Sequence, residues 1–188
     1  MTDLNQLLED LIRHEGLFPH GYRDSTDHGW FTVGVGNMVP SDAACAQLPW
    51  LRPDGRQASP AEARACYAAV MAMPPALVAH SYAKASGLRL SDDVCRDLCI
   101  SRLQREFLPG LRRLFVGFDA YPAPAVRALV DMIYNLGEGT LSGFPNLRAA
   151  CARGAWKRAA VESHRSTCRP SRNDWTRDRF LEAAAGAG

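Results

Sequence analysis

Residues whose side chains could share acid–base work lie close together in the stretch EGLFPHGYRDSTDHGWFTVGVGN, residues 15–37. Glu15 opens this stretch, Asp24 lies near its middle, and Thr32 follows on the same Gly-rich segment. A pair of carboxyl groups can divide acid–base work when one keeps its proton and the other stays ionised. The residue types and their spacing therefore predict a site of general acid–base chemistry.

Glu15 lies at the end of a predicted amphipathic helix. It follows Leu11 by four residues and so continues an apolar stripe made by Leu4, Leu7, Leu8, Leu11 and Ile12. Gly16 is the predicted helix stop. At such a place, desolvation and the negative end of the helix dipole are both expected to disfavour the charged carboxylate. A general acid requires this, because it must keep its proton until it donates it. The alternative is a Glu that ends the helix and points to water or pairs with an Arg.

The segment after Glu15 is predicted to form a hairpin. A strand begins at 22–24, residues 25–29 form the turn, and a second strand spans 30–35, with a short third strand near 38–39. Phe31, Val33 and Val35 alternate along one face, whereas Trp30 and Thr32 share the other face with two glycines. We expect these glycines to leave that second face open.

The rest of the chain favours helices. The motif Ser59-Pro60-Ala61-Glu62 is a capping box, and Pro109-Gly110 is expected to end the helix that starts near Ser91. The predicted helices cover residues 3–15, 59–73, 91–108, 124–136, 144–153, 155–165 and 174–185. The expected fold class is therefore α+β, mainly α, with one small hairpin lobe.

Composition suits an ordinary globular protein of one domain, with 188 residues of which 47% are apolar.

Trp50 lies in a loop-like segment and could stack on a sugar ring or fill a small core; we favour the core. The six cysteines are interpreted mainly as small buried apolar residues, with one or two disulfides as the alternative. They are Cys45, Cys66, Cys95, Cys99, Cys151 and Cys168.

The net charge is only +2, but residues 148–179 carry nine Lys or Arg against three acidic residues. This region suits either a polyanionic partner or a solvated helix surface. No nucleic-acid recognition motif is present, and the scattered histidines predict no metal site.

Because no secretory signal or long apolar segment is visible, we expect synthesis in the cytoplasm, no stable membrane association, and export by other machinery.

Three blocks of the chain resemble the phage-type lysozymes of glycoside hydrolase family 24. HEGLFPHGYRD…GWFTVGVGN resembles their catalytic helix and hairpin, and ALVDMIYNLGEGTLSGFPNLRAA resembles their central helix. AWKRAAVESHR…RPSRNDW resembles their penultimate helices. The resemblance implies one lysozyme-like domain over residues 1–188. Its hairpin lobe, at about 16–60, and its helical lobe, at about 91–185 plus helix 3–15, would flank an active-site cleft.

The resemblance also implies roles for individual residues. Glu15 becomes the general acid that protonates the glycosidic oxygen, Asp24 the carboxylate that activates or orients a water, and Thr32 the hydroxyl that holds this water. Arg172 falls where the family has an arginine paired with the catalytic Glu, and Asn135 where it has an amide that contacts substrate.

Tyr22 and Trp30 are the hairpin residues expected at the substrate, and no cofactor or metal is expected. The implied activity is that of an N-acetylmuramidase that cleaves the β-1,4 bond between N-acetylmuramic acid and N-acetylglucosamine, with inversion favoured. The expected setting is a phage endolysin or an exported antibacterial effector, monomeric, with peptidoglycan and a secretion machine or an immunity protein as partners. The alternative is a non-catalytic module that binds peptidoglycan or a protein.

Some features depart from the family pattern. The turn between Asp24 and Thr32 is two residues longer than usual, and Asn37 replaces a frequent His. Residues 40–88 form a much longer segment than their equivalent in the family. This insertion could line the cleft, recognise a partner, or do neither.

Overall fold

The computed structural model describes residues 3–25 and 28–186. Contacts along the chain divide it into two units. The hairpin unit is Leu11–Ser101, and the helical unit combines the residues up to Asp10 with those from Arg102 onward. Helix α1, Leu4–Glu15, contributes residues to both.

The hairpin unit contains the predicted hairpin as a three-stranded antiparallel sheet in the order β1-β2-β3. The strands are β1 Phe18–Arg23, β2 Phe31–Gly34 and β3 Asn37–Met38. Strand β1 begins earlier than predicted, because an irregular register between Phe18 and Tyr22 lets the chain pair before the regular ladder starts. Helix α1 ends at Gly16 as predicted, with a φ of 78° there and the Gly16 N–H donating to the Ile12 carbonyl at 2.8 Å.

One face of β2 differs from the prediction. Phe31 and Val33 are buried as expected, but Thr32 on the opposite face is only 3% exposed. Gly34 on that face lies against Cys95, since a Cβ atom added to the glycine would be 3.2 Å from the Cβ of Cys95. The expectation of an open glycine face is therefore wrong at Thr32 and Gly34, and Trp30, 38% exposed, is the part that solvent reaches.

The insertion supplies most of the hydrophobic core of the hairpin unit. It contains α2 Asp42–Cys45, α3 Pro60–Met71, a 3-10 turn at Ala79–Tyr82 and α4 Ala83–Ser86. The capping box of α3 is present as predicted. Trp50 is fully buried and donates its indole N–H to the Cys45 carbonyl at 2.9 Å, which confirms its role as a core residue. The Phe31 ring of β2 stacks on Tyr67 of α3 at a centroid distance of 4.9 Å.

Helices make up the rest of the chain. They are α5 Asp92–Arg102, a π-helical turn Leu103–Phe107, α6 Leu108–Leu114, a 3-10 turn Phe118–Ala120, α7 Ala123–Ser142, α8 Pro145–Ala152, α9 Trp156–Glu162 and α10 Pro170–Ala185. The predicted stop at Pro109-Gly110 is wrong. Because the π-helical turn precedes it, Pro109 falls in the first turn of α6, where a missing N–H is tolerated.

The central helix of the helical unit is α7, whose inward face is buried and whose helical path is interrupted at Gly137, with a φ of 74°. The C-terminal helix α10 packs against α7 and α9. The predominance of helices beside one small antiparallel sheet confirms the predicted α+β fold class. None of the helices in the described ranges has the length and apolar character needed to cross a bilayer.

Five of the six cysteines are buried, Cys168 is half-buried, and all six are free thiols. This confirms the interpretation of the five as small core residues. Burial raises the pKa of the Cys45 and Cys151 thiols to about 12 and that of Cys95 to about 11. Burial also raises the pKa of Cys66.

These thiols predict a loss of stability in alkali. In the unfolded chain they ionise near pH 9, whereas the folded protein keeps them protonated, so unfolding releases protons and the free energy of unfolding falls from about pH 9 towards pH 12. Urea unfolding at a series of pH values measures this slope. Cys151→Ala should make the slope shallower, and Cys168→Ala is the control for cysteine removal. An equal slope in all three proteins would contradict the prediction.

Gly21 of β1 predicts a second effect on stability. A Cβ atom there would lie 2.2 Å from Cζ of the buried Phe31 ring, so Gly21→Ala must displace this ring. We expect a loss of about 1–3 kcal/mol in the free energy of unfolding, measured with urea. Gly139→Ala is the control, because a Cβ atom there meets no neighbour within 4 Å. Equal stability of the two variants would show that the strand is not packed as described.

Candidate functional site

The end of α1 is fixed to strand β1 by aromatic packing. Half-buried Glu15 closes the helix, and a Cβ atom added to Gly16 would lie 2.9 Å from the Phe18 ring. The Phe18 ring in turn meets the Tyr22 ring edge-on, with centroids 5.5 Å apart. Gly16, which follows Glu15, and the strand residue Tyr22 are thus joined through the Phe18 ring.

The Tyr22 hydroxyl is influenced by the charges of both predicted catalytic carboxylates. Its pKa is raised well above the ordinary value for tyrosine, first by burial and then by the negative charges of Glu15 and Asp24. Both carboxylates therefore lie close enough to the Tyr22 hydroxyl to act on it. The hydroxyl keeps its hydrogen at any physiological pH and can donate it.

The hairpin is closed at Asp24 by two hydrogen bonds to the backbone of Trp30. The Asp24 N–H donates to the Trp30 carbonyl at 3.0 Å, and the Trp30 N–H donates to Oδ1 of Asp24 at 2.9 Å. The second bond fixes the orientation of the carboxylate relative to the backbone. It is a charge-assisted bond when Asp24 is ionised.

Thr32 lies opposite Tyr22 in the β1–β2 register. Its hydroxyl donates to the Trp30 carbonyl at 3.1 Å, so the hydroxyl oxygen is left only with acceptor capacity. The exposed Trp30 side chain adjoins the His28 ring at a centroid distance of 5.4 Å. The structure thus brings five of the predicted site residues together on the hairpin unit: Glu15, Tyr22, Asp24, Trp30 and Thr32.

The two remaining predicted residues, Asn135 and Arg172, belong to the helical unit. Arg172 is buried and donates from Nε to Oδ1 of Asp131 on α7 at 2.8 Å. Arg165 is also buried, and its Nη2 lies 3.0 Å from Oδ2 of the same carboxylate. Two arginines therefore share Asp131, and the three side chains together carry a net positive charge.

Arg165 also orients Asn135. Its Nη1 donates to the Asn135 side-chain oxygen at 3.2 Å. A guanidinium group has no acceptor, so the amide oxygen must face Arg165 and the amide NH₂ must point elsewhere. Because Asn135 is exposed, it can offer this NH₂ group as a donor to a ligand.

Sequence reasoning did not identify Asp131, Arg165, Asn173 or Thr176 as part of this network. Thr176 donates to Asp131 at 3.1 Å, and the Asn173 amide binds the Arg165 backbone. A signal for Asp131 was available, since a carboxylate on the buried face of an apolar helix requires a buried partner. The basic C-terminal region contained that partner, so part of its charge is structural.

Within the ranges 3–25 and 28–186, no group of three or more His, Cys, Asp or Glu side chains could hold a metal ion. No protein-family model and no curated protein matches the sequence. The comparison with solved structures shows that the fold of the chain is lysozyme-like. A crystal structure of a variant of P22 lysozyme matches it with a TM-score of 0.61 and 18% identity, over 96% of this chain and 99% of the other.

The shared carboxylate predicts a strong dependence of stability on Asp131. Asp131→Asn leaves two buried arginines without a counter-charge, and we expect a loss of about 3–5 kcal/mol in the free energy of unfolding. Chemical denaturation measures it. Asp119→Asn is the matched control, because Asp119 forms an exposed pair with Arg112 and should contribute little. Similar stability of the two variants would argue that the buried charges are not held by Asp131.

Proposed function

We propose that the protein is a peptidoglycan hydrolase of the N-acetylmuramidase type. The observation that carries the proposal is the placement of two carboxyl groups on the hairpin unit on either side of β1, with Glu15 at the end of α1 and Asp24 held by the Trp30 N–H; the charges of both act on Tyr22. Glycoside hydrolysis requires such a pair. The likeness of the fold to P22 lysozyme supports the same substrate class.

Glu15 is assigned the role of general acid. It gives its proton to the glycosidic oxygen as the bond from this oxygen to the anomeric carbon breaks. Its half-buried place at the C-terminal end of α1 suits this role.

Asp24 and Thr32 are assigned to the attacking water. Both offer acceptor oxygens, because the hydrogen of the Thr32 hydroxyl is engaged by the Trp30 carbonyl. A water that donates one hydrogen to each keeps a lone pair for the anomeric carbon. The water oxygen bonds to this carbon, Asp24 takes the proton, and the product has inverted configuration.

The substrate-binding assignments are Tyr22, Trp30 and Asn135. Trp30 has an exposed ring that can stack on a sugar, the Tyr22 hydroxyl can donate a hydrogen bond, and the Asn135 amide has an oriented NH₂ group. The resemblance also implies a supporting role for Arg172, which stays a prediction.

The biological setting is part of the proposal. Peptidoglycan lies outside the cytoplasmic membrane, so the enzyme would reach it through a holin or a dedicated secretion machine. An effector of this kind would require a neutralising immunity protein in the producing cell. We propose that the enzyme acts as a monomer, without a cofactor and without binding nucleic acid.

The test is muropeptide release from purified peptidoglycan by the wild type and by Glu15→Gln. We expect the wild type to produce reducing ends on muramic acid, and the variant to lose activity by at least about 100-fold, because an amide cannot supply the proton. Chromatography of the reduced products identifies the new ends.

Glu9→Gln, on the exposed side of the same helix, is the matched control and should retain activity. Intact sacculi with the wild type, together with equal binding of wild type and Glu15→Gln to sacculi, would instead identify a non-catalytic binding module. New reducing ends on N-acetylglucosamine would overturn the muramidase assignment.

A further inference from the structure

Arg23 links the hairpin to the insertion. It directly precedes Asp24, and its guanidinium donates to carbonyl groups on two separate segments. The acceptors are Gly29 at 2.9 Å and His28 at 3.4 Å in the hairpin turn, and Met73 at 2.7 Å and Met71 at 3.3 Å at the end of α3. One side chain therefore joins the turn to a helix of the insertion.

The end of α3 is a favourable place for a guanidinium. The last carbonyl groups of a helix have no partner within the helix and carry its negative dipole end. Met71 is the last residue of α3, and Met73 lies just beyond it. Arg23 thus stabilises carbonyl groups that would otherwise need water, and its planar fork reaches the turn at the same time.

A second contact presses the turn against the insertion. A Cβ atom added to Gly29 would lie 2.6 Å from the Cβ of Pro75, and Gly29 has a φ of 55°, a conformation that favours glycine. Only a residue without a side chain fits between the turn and the segment after α3. Arg23 and Gly29 therefore form a clamp, by which we mean these two residues with their contacts to Met71, Met73 and Pro75.

The clamp acts directly on the position of Asp24. Gly29 immediately precedes Trp30, whose N–H donates to the Asp24 carboxylate at 2.9 Å. Arg23 precedes Asp24 and holds the carbonyl of Gly29. Both sides of the hydrogen-bonded closure at Asp24 and Trp30 are thus attached to the end of α3.

We propose that Arg23 is a positioning residue and that the insertion serves as the scaffold on which it fixes the Asp24 carboxylate. This inference rests on the proposed function, in which Asp24 activates a water. It gives residues 40–88 a role other than partner recognition. Trp50 and Tyr67 of the insertion pack against Phe31 of β2, and this packing holds α3 against the sheet.

The test compares Arg23→Lys with the wild type. A lysine keeps the charge but cannot reach the turn and the helix end in the same fork geometry. We expect kcat on soluble peptidoglycan fragments to fall between about 10- and 100-fold, with KM within about twofold, because the misplaced carboxylate affects the chemical step. Amide hydrogen exchange at Asp24 and Trp30 should become faster, while the cooperative unfolding transition is retained.

Arg56→Lys is the matched control, since Arg56 lies in the same unit and forms an exposed pair with Asp54. It should change neither kcat nor the two exchange rates. Gly29→Ala disrupts the other contact of the clamp, because the added Cβ atom would collide with Pro75. It should lower kcat in the same way, and the double variant should lose less than the product of the two single losses.

Hydrogen exchange separates failure of this inference from failure of the proposed function. If the wild type hydrolyses no peptidoglycan, the proposed function is wrong, and faster exchange at Asp24 and Trp30 in Arg23→Lys still establishes the clamp. If the wild type is active, unchanged kcat and unchanged exchange in Arg23→Lys and Gly29→Ala overturn the inference. A rise in KM with unchanged kcat overturns it as well, because it would assign Arg23 to substrate binding.

Discussion

The site depends on the hydrogen-bonded closure of the hairpin between Asp24 and Trp30. The Trp30 backbone accepts from Asp24 and Thr32 and donates to the Asp24 carboxylate, so one residue sets the positions of both groups assigned to the water. Its own side chain is left exposed for a ligand. A base must be held at a defined distance from the reacting carbon, and backbone hydrogen bonds provide that restraint without requiring another titratable group.

In the helical unit, buried charged side chains restrain the orientation of Asn135. Burying Asp131, Arg165 and Arg172 together carries a large desolvation cost that the mutual ion pairs and the Thr176 and Asn173 hydrogen bonds offset. Such an arrangement adds little net stability compared with apolar packing. Its consequence is orientation, because Arg165 cannot turn without leaving buried donors unpaired, and Asn135 is aligned by it.

Local chemistry explains which features could be predicted from the sequence. The helix end at Gly16, the capping box at Ser59 and the burial of Phe31 and Val33 each depend on nearby residues. The burial of Thr32 could not be predicted, because it depends on tertiary packing around the sheet.

The same limit applies elsewhere. Pro109 is tolerated because a π-helical turn resets the helix before it, and no local pattern marks this turn. Asp131 was visible as a carboxylate in an apolar stripe, but its partners lie more than thirty residues away, at separations of 34 for Arg165 and 41 for Arg172. The candidate site residues of the hairpin could be singled out because their residue types are distinctive. The clamp could not, since its acceptors are backbone carbonyl groups without a sequence signature.

The hairpin turn and the insertion meet at this clamp. The turn between Asp24 and Thr32 has conformational freedom that the closed hairpin must lose, at a cost that grows with loop length. The insertion offers helix-end carbonyl groups and a proline surface where Arg23 and Gly29 of this turn can bind. A turn without such support would leave the Asp24 carboxylate less restrained. The turn and the insertion are therefore best understood as one structural unit, in which the end of α3 supplies part of the restraint on Asp24.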